Sequence, residues 1–184
     1  MLDRPLVFLD LETTGATASF DRITEIGLIE VERGAFVREW STLVNPQMRI
    51  PPFIESLTGI NNDMVAAAPP FADVAAELLA RLKGRLLIAH HARFDYGFLK
   101  AEFGRLETKY SSDLVCTVKL SRKLFPGHAR HNLDSLMERH GVTCDARHRA
   151  LGDARVLWDL IRIWREELGA DAVNTAAAAQ IKSP

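Results

Sequence analysis

The stretch that decides the fold is PLVFLDLETTG, residues 5–15. It has the apolar density of a buried strand, yet Asp10 and Glu12 interrupt it. On a strand, residues i and i+2 share a face. Asp10 and Glu12 therefore point the same way, about 6–7 Å apart along a chain that rises roughly 3.3 Å per residue. Phe8 shares their side, and Val7, Leu9 and Leu11 take the other. Two partly buried carboxylates repel, and each is costly to desolvate. The strand's neighbours in sequence offer no basic side chain to offset them. A divalent cation would do so, and oxygen-only ligands favour a hard ion, Mg²⁺ or Mn²⁺. The alternative is a pair of acids at a solvated strand end with no role.

Working outward, ITEIGLIEVERGAFVREWSTL (23–43) holds two more extended runs separated by Arg33-Gly34, a hairpin signal. With the first strand this predicts three consecutive antiparallel strands. PPFIESLTGI (51–60) has Pro at its start and Gly near its end, the pattern of a short helix. Helical spacing recurs in 69–84, 94–106, 131–141 (with Asn132 as cap) and 151–169, and the apolar run 85–90 reads as a buried strand. Strands first, then alternating helices and strands, predict an α/β domain with a mixed sheet. The tail 170–184 shows no clear apolar face and is expected to be frayed, or the stub of a longer chain.

The 184 residues, 47% hydrophobic, suit one domain with a sizeable core. A formal net charge of −1 advertises neither nucleic acid nor membrane, so a polyanionic partner would need a local patch or metal ions. Two distant cysteines, Cys116 and Cys144, make neither a disulfide framework nor a zinc site. With no signal peptide and no long apolar run, the expectation is a cytoplasmic protein without a membrane partner.

Other acids join the first two. Asp95, in IAHHARFDYGFL, follows a buried strand at the opening of a helix. Asp153, in HRALGDARVL, sits in the first turn of the long helix, with His148 five residues earlier. Each could be a plain helix-terminus acid, and His148 an ordinary surface histidine. Strand ends in α/β sheets are also where ligands collect. Four acids and a histidine there are the inventory of a two-metal site with a general base.

FLDLETTG, HHARFDYGFL and HRALGD, in this order, resemble the three motifs of the DEDDh branch of DnaQ-like 3′→5′ exonucleases, which include the proofreading epsilon subunit of DNA polymerase III. The resemblance spans residues 5–165, and the implied exonuclease domain is 1–168, with 169–184 as tail. It implies a ribonuclease-H-like fold, a five-stranded mixed sheet flanked by helices. It implies Asp10, Glu12 and Asp153 as direct ligands of two divalent ions, Asp95 as the fourth acid and His148 as general base. The implied substrate is the 3′ end of single-stranded nucleic acid, DNA favoured, with an RNA-trimming enzyme as the alternative. A DNA polymerase or a fused domain is the implied partner.

The same resemblance suggests Thr13 and Thr14 near the terminal nucleotide. His91 stands where the family commonly has Asn. The stretch 116–149 carries seven Lys/Arg against three acids, a candidate phosphate-binding rim with Lys119, Arg122 and Arg130 as contacts, or else a solvated face. Phe20 or Phe53 could stack on a base, although core burial is the expected fate of both. A non-catalytic module on the same fold would be expected to lose acids or the histidine first; all five positions are filled.

Overall fold

A computed structural model describes residues 2–181. Its sheet has five strands in the order β3-β2-β1-β4-β5: β1 (Leu6–Thr13), β2 (Ile23–Glu32), β3 (Ala35–Leu43), β4 (Leu86–Ala89) and β5 (Leu114–Cys116). The first three pair antiparallel, and β4 and β5 join parallel to β1. The mixed sheet and ribonuclease-H-like architecture are as expected. The β2–β3 turn falls on Arg33 and Gly34, both with positive φ (52° and 75°), which suits the twist of a two-residue hairpin.

Strand β1 is central and buried on both faces, so it reads as nearly continuous apolar sequence. Leu6 and Phe8 pack into one core layer beneath α7 (Ala150–Leu168), with Leu157, Leu160, Ile161 and Trp164. Val7, Leu9 and Leu11 pack into the other, against α3 (Phe71–Leu82) and α4 (Arg93–Arg105). The predicted division of faces holds, and it aims Asp10 and Glu12 toward α7.

The predicted helices appear as α1 (Pro52–Thr58), α3, α4, α6 (Leu133–His140) and α7. Asn132 caps α6 by accepting from the Ser135 amide, and Gly59 ends α1 in the left-handed conformation. Four elements escape the pattern. Helix α2 (Asn62–Ala66) and strand β5 are too short to show a period, and α5 (Thr117–Leu124) hides its buried face behind basic residues. The fourth corrects the expected tail: 170–178 form α8 (Ala170–Ala178), which seats Val173, Ala176 and Ala177 in the core against α7. Its apolar face is made of alanines, which carry little hydropathy signal but allow close packing. The last residues, 182–184, lie outside the described part.

Candidate active site

The site forms where β1, α4 and α7 converge. Asp10 and Glu12 come from β1, Asp95 from the first turn of α4 and Asp153 from the first turn of α7. One carboxylate oxygen from each of Asp10, Glu12 and Asp153 lies within 4.8 Å of the other two. Asp95 is 2% exposed.

Glycine makes this convergence possible. Asp10 pairs across the ladder with Gly27 of β2, and a Cβ there would sit 2.1 Å from the Leu151 amide nitrogen. Only a residue without a side chain lets α7 cross β2 this closely. Gly152 acts likewise: a Cβ would meet the Ala146 carbonyl oxygen at 2.3 Å, so the loop before α7 folds back over its first turn. Glu25, the cross-strand partner of Glu12, fixes the start of that helix. Its Oε2 accepts from the Ala150 amide at 2.9 Å, and its Oε1 accepts from Arg149 Nη2 at 2.5 Å.

His148 lies in the same loop, half-buried, with φ 59°. A non-glycine residue in the left-handed region is strained, and such outliers persist where surrounding contacts impose them. The charge of His148 and its backbone N–H both act on Asp153, which sets it beside the acids.

The electrostatics are those of acids without enough counter-charge. Burial, then the charges of Asp95, Asp153 and Glu12, push Asp10 well above the usual carboxylate range. Burial, reinforced by Asp153 and Glu25, lifts Glu12 to about 8. Burial likewise lifts Asp95 to about 8, against the backbone amides of Asp95 itself and Leu11. Asp153 is raised by burial and held back by Arg147.

Arg147 is the cation that sequence neighbours of β1 could not supply. Its Nη1 bonds Asp153, and its Nη2 donates to Asp134 at 2.7 Å. Neither it nor Glu25 stood out in the sequence. Glu25 could have been suspected as a second acid at the end of a buried strand, whereas Arg147 is surrounded by charged residues and had no signal of its own.

The remaining candidates separate into two grooves. Thr13 and Thr14 line a groove of about 470 Å³ beside Glu12, together with Phe53, Leu57 and Phe94. Their hydroxyls are already engaged, Thr13 donating to the Gly15 carbonyl and Thr14 to Asp21. Phe53 is 73% exposed and Phe20 79%, which overturns the expectation of core burial; Phe53 alone of the two reaches this groove. His91, Lys119 and Arg122 line a second groove. Arg130 joins neither: it sits exposed between α5 and α6, its carbonyl held by Arg139 Nη2 at 2.6 Å. The expected basic rim is also smaller than its composition suggested, because Arg147 and Arg149 are engaged with Asp153, Asp134 and Glu25.

The donor set fits divalent metal. Asp95 Oδ2 and Asp153 Oδ1 are buried with no hydrogen-bond partner, as carboxylate oxygens reserved for a cation would be.

Comparison with known proteins agrees with this geometry. Residues 7–161 match the exonuclease family model RNase_T. The epsilon subunit of DNA polymerase III from Treponema pallidum is 38% identical over 154 residues, covering 82% of this chain and 72% of that protein. The 3′-5′ exonuclease DinG of Bacillus subtilis is 39% identical over 152 residues, but the chain spans only 16% of it. Among solved structures, exonuclease X in complex with 5′ overhanging duplex DNA superposes with a TM-score of 0.76 at 27% identity, covering 95% of this chain and 99% of that one. The chain therefore belongs to the exonuclease family. Within it, the protein groups with the DnaQ-like members.

Proposed function

We propose that the protein is a two-metal 3′→5′ exonuclease of the DEDDh type, releasing 5′-mononucleotides from single-stranded DNA. The observation that carries this is the gathering of Asp10, Glu12, Asp95 and Asp153 beside His148, with two buried carboxylate oxygens unpartnered. Asp10, Glu12 and Asp153 would hold two Mg²⁺ or Mn²⁺ ions, with Asp95 supporting the second. Bound ions would supply positive charge for the phosphate and acidify a water. His148 takes the proton from the attacking water, as a half-exposed imidazole at the lip of the site can. Water oxygen attacks phosphorus, the bond to the upstream 3′ oxygen breaks, and the strand is shortened by one nucleotide. The groove of Thr13, Thr14, Phe53 and Phe94 offers apolar walls for the terminal base.

DNA is favoured over RNA because one relative named above is a DNA polymerase subunit and the exonuclease X neighbour is in complex with DNA. An association with a polymerase is supported by the epsilon relative and by a PolC-type polymerase, of which the chain matches 12%. No helix among the described residues is long and apolar enough to cross a membrane.

The test is degradation of 3′- and 5′-labelled single strands of DNA and RNA with Mg²⁺, Mn²⁺ or EDTA. The expected outcome is stepwise mononucleotide release from the 3′ end, lost in EDTA and lowered about 1,000-fold or more in Asp10→Ala, the scale of several kcal/mol of transition-state stabilisation. Binding without cleavage in either metal would sink the catalytic reading.

A further inference from the structure

The second groove, of about 420 Å³, runs beside the edge strand β5 between the start of α4 and helix α5. Its basic side chains are His91, Arg93, Lys119 and Arg122. All four are exposed, and among the described residues none is in an ion pair or a side-chain hydrogen bond. That sets them apart in a protein whose other arginines are mostly engaged with carboxylates: Arg22 with Glu102, Arg81 and Arg85 with Glu30, Arg149 with Glu25, Arg155 with Glu39. The one acid in the groove, Asp113, is already held by Arg4 at 3.0 Å. The unpaired charges of Arg93, Lys119 and Arg122 facing one cavity form a site for a polyanion.

The groove is built rather than incidental. Lys119 and Arg122 are three apart on α5 and share one face. The start of α5 is tied to the end of β4 by His90 Nδ1 and Thr117 Oγ1 at 2.8 Å. The floor is fixed by Gln180, whose Oε1 accepts from the Cys116 amide at 2.9 Å. The turn at 91–95 stands between the two grooves. Phe94 faces the apolar one, His91 and Arg93 line the basic one, and Asp95 points into the acid cluster between them.

We infer that the basic groove holds the phosphates upstream of the scissile bond on the same single strand. The direction of the strand rests on the exonuclease reading: the terminal base lies in the apolar groove, its phosphate at the acids, and the preceding phosphates along Arg93, Lys119 and Arg122. The site would thus engage at least two nucleotides beyond the one removed.

The experiment is binding of a 3′-labelled ten-nucleotide single-stranded DNA by the intact protein in EDTA, across a salt series. Cleavage of that strand and of a dinucleotide is measured alongside, in Mg²⁺. Lys119→Glu with Arg122→Glu is compared with Arg33→Glu, an exposed charge reversal in the β2–β3 turn at the far edge of the sheet. The double variant is expected to weaken binding, to reduce the log–log salt slope by about 1.4, at roughly 0.7 per lost phosphate contact, and to flatten the preference for the decamer over the dinucleotide. Arg33→Glu is expected to keep the wild-type slope. A double variant with the wild-type slope and length preference would overturn the inference. So would a defect seen only with duplex DNA, which would give the groove to the complementary strand. A wild type that shows the slope difference but cleaves nothing keeps the groove and removes the exonuclease reading.

Discussion

The β1–β2 ladder carries buried acids at both ends, and the two ends treat them oppositely. Near the start of β1, Glu30 lies across from Val7, its side chain 4% exposed, with Arg81 at 2.7 Å, Arg85 at 3.0 Å and Arg38 at 3.7 Å. At the other end Asp10, Glu12, Asp95 and Asp153 have Arg147 as their ion-pair partner, through Asp153. Glu25 at this same end is paired with Arg149, so it is the four clustered acids that lack cations, although Asp95 and Asp153 among them are as buried as Glu30. Where the chain provides guanidinium groups, a buried acid serves as a structural tie. Where it withholds them, the acids store electrostatic free energy that a divalent ion can release. A shortage of counter-charge, rather than burial itself, marks the functional end.

The largest expected effect is at the deficient end. His148→Ala should lower turnover about 100- to 10,000-fold, the range of a positioned general base. The deficit should shrink as pH rises, because hydroxide replaces the lost base; a pH–rate profile parallel to wild type would break the assignment. Next comes Gly27→Ala, which drives a methyl into the backbone of α7. It should cost about 1–3 kcal/mol in urea unfolding, the scale of overpacking. Activity should fall further than stability, because Asp153 moves with the helix.

The comparison is sharpest in a paired thermal melt in EDTA. Asp10→Asn removes a buried carboxyl whose charged form both burial and the neighbouring acids disfavour, and should stabilise the metal-free protein by on the order of 1 kcal/mol, while abolishing activity. Glu30→Gln strips three arginines of their shared partner and should destabilise by about 1–3 kcal/mol, with or without metal. Equal signs for the two variants would erase the distinction between the ends.

The last comparison is a pH dependence. Glu12 and Asp95 are lifted to about 8, so the fold favours their protonated forms. Their contribution is complete below about pH 4, the ordinary carboxylate range, and is lost as pH rises through about 8. The melting temperature in EDTA should therefore rise as pH falls from about 8.5 to 6. Saturating Mn²⁺ should flatten that slope, as should Glu12→Gln; a slope unchanged by both would show that other groups carry it.

How much of this could be read beforehand follows from what sequence encodes. The carboxylates were legible because an acid on an apolar strand breaks a period-2 pattern, because Asp95 follows a strong apolar run at a helix start, and because Asp153 opens a long amphipathic helix. The faces of β1 were legible for the same reason. Arg147 was not, because its meaning depends on a loop folding back over Gly152, which no local period reports. Gly27 looked like one more small residue in a strand until α7 was found against it. Strand β5 has only three residues, and α8 buries alanines, so neither raised a signal above its surroundings.

Gln180 leaves a consequence for the molecule's behaviour in company. Its side-chain amide accepts from the Cys116 N–H at 2.9 Å and donates to the Cys116 carbonyl at 3.3 Å. It thus serves β5 as a strand one residue long, occupying the backbone N–H and C=O of Cys116 at the end of this edge strand. Exposed sheet edges recruit other polypeptides, and proteins blunt them in various ways. Here the cover comes from the turn just after α8, so an alanine-rich segment with no visible pattern is what brings a polar side chain to this margin of the sheet.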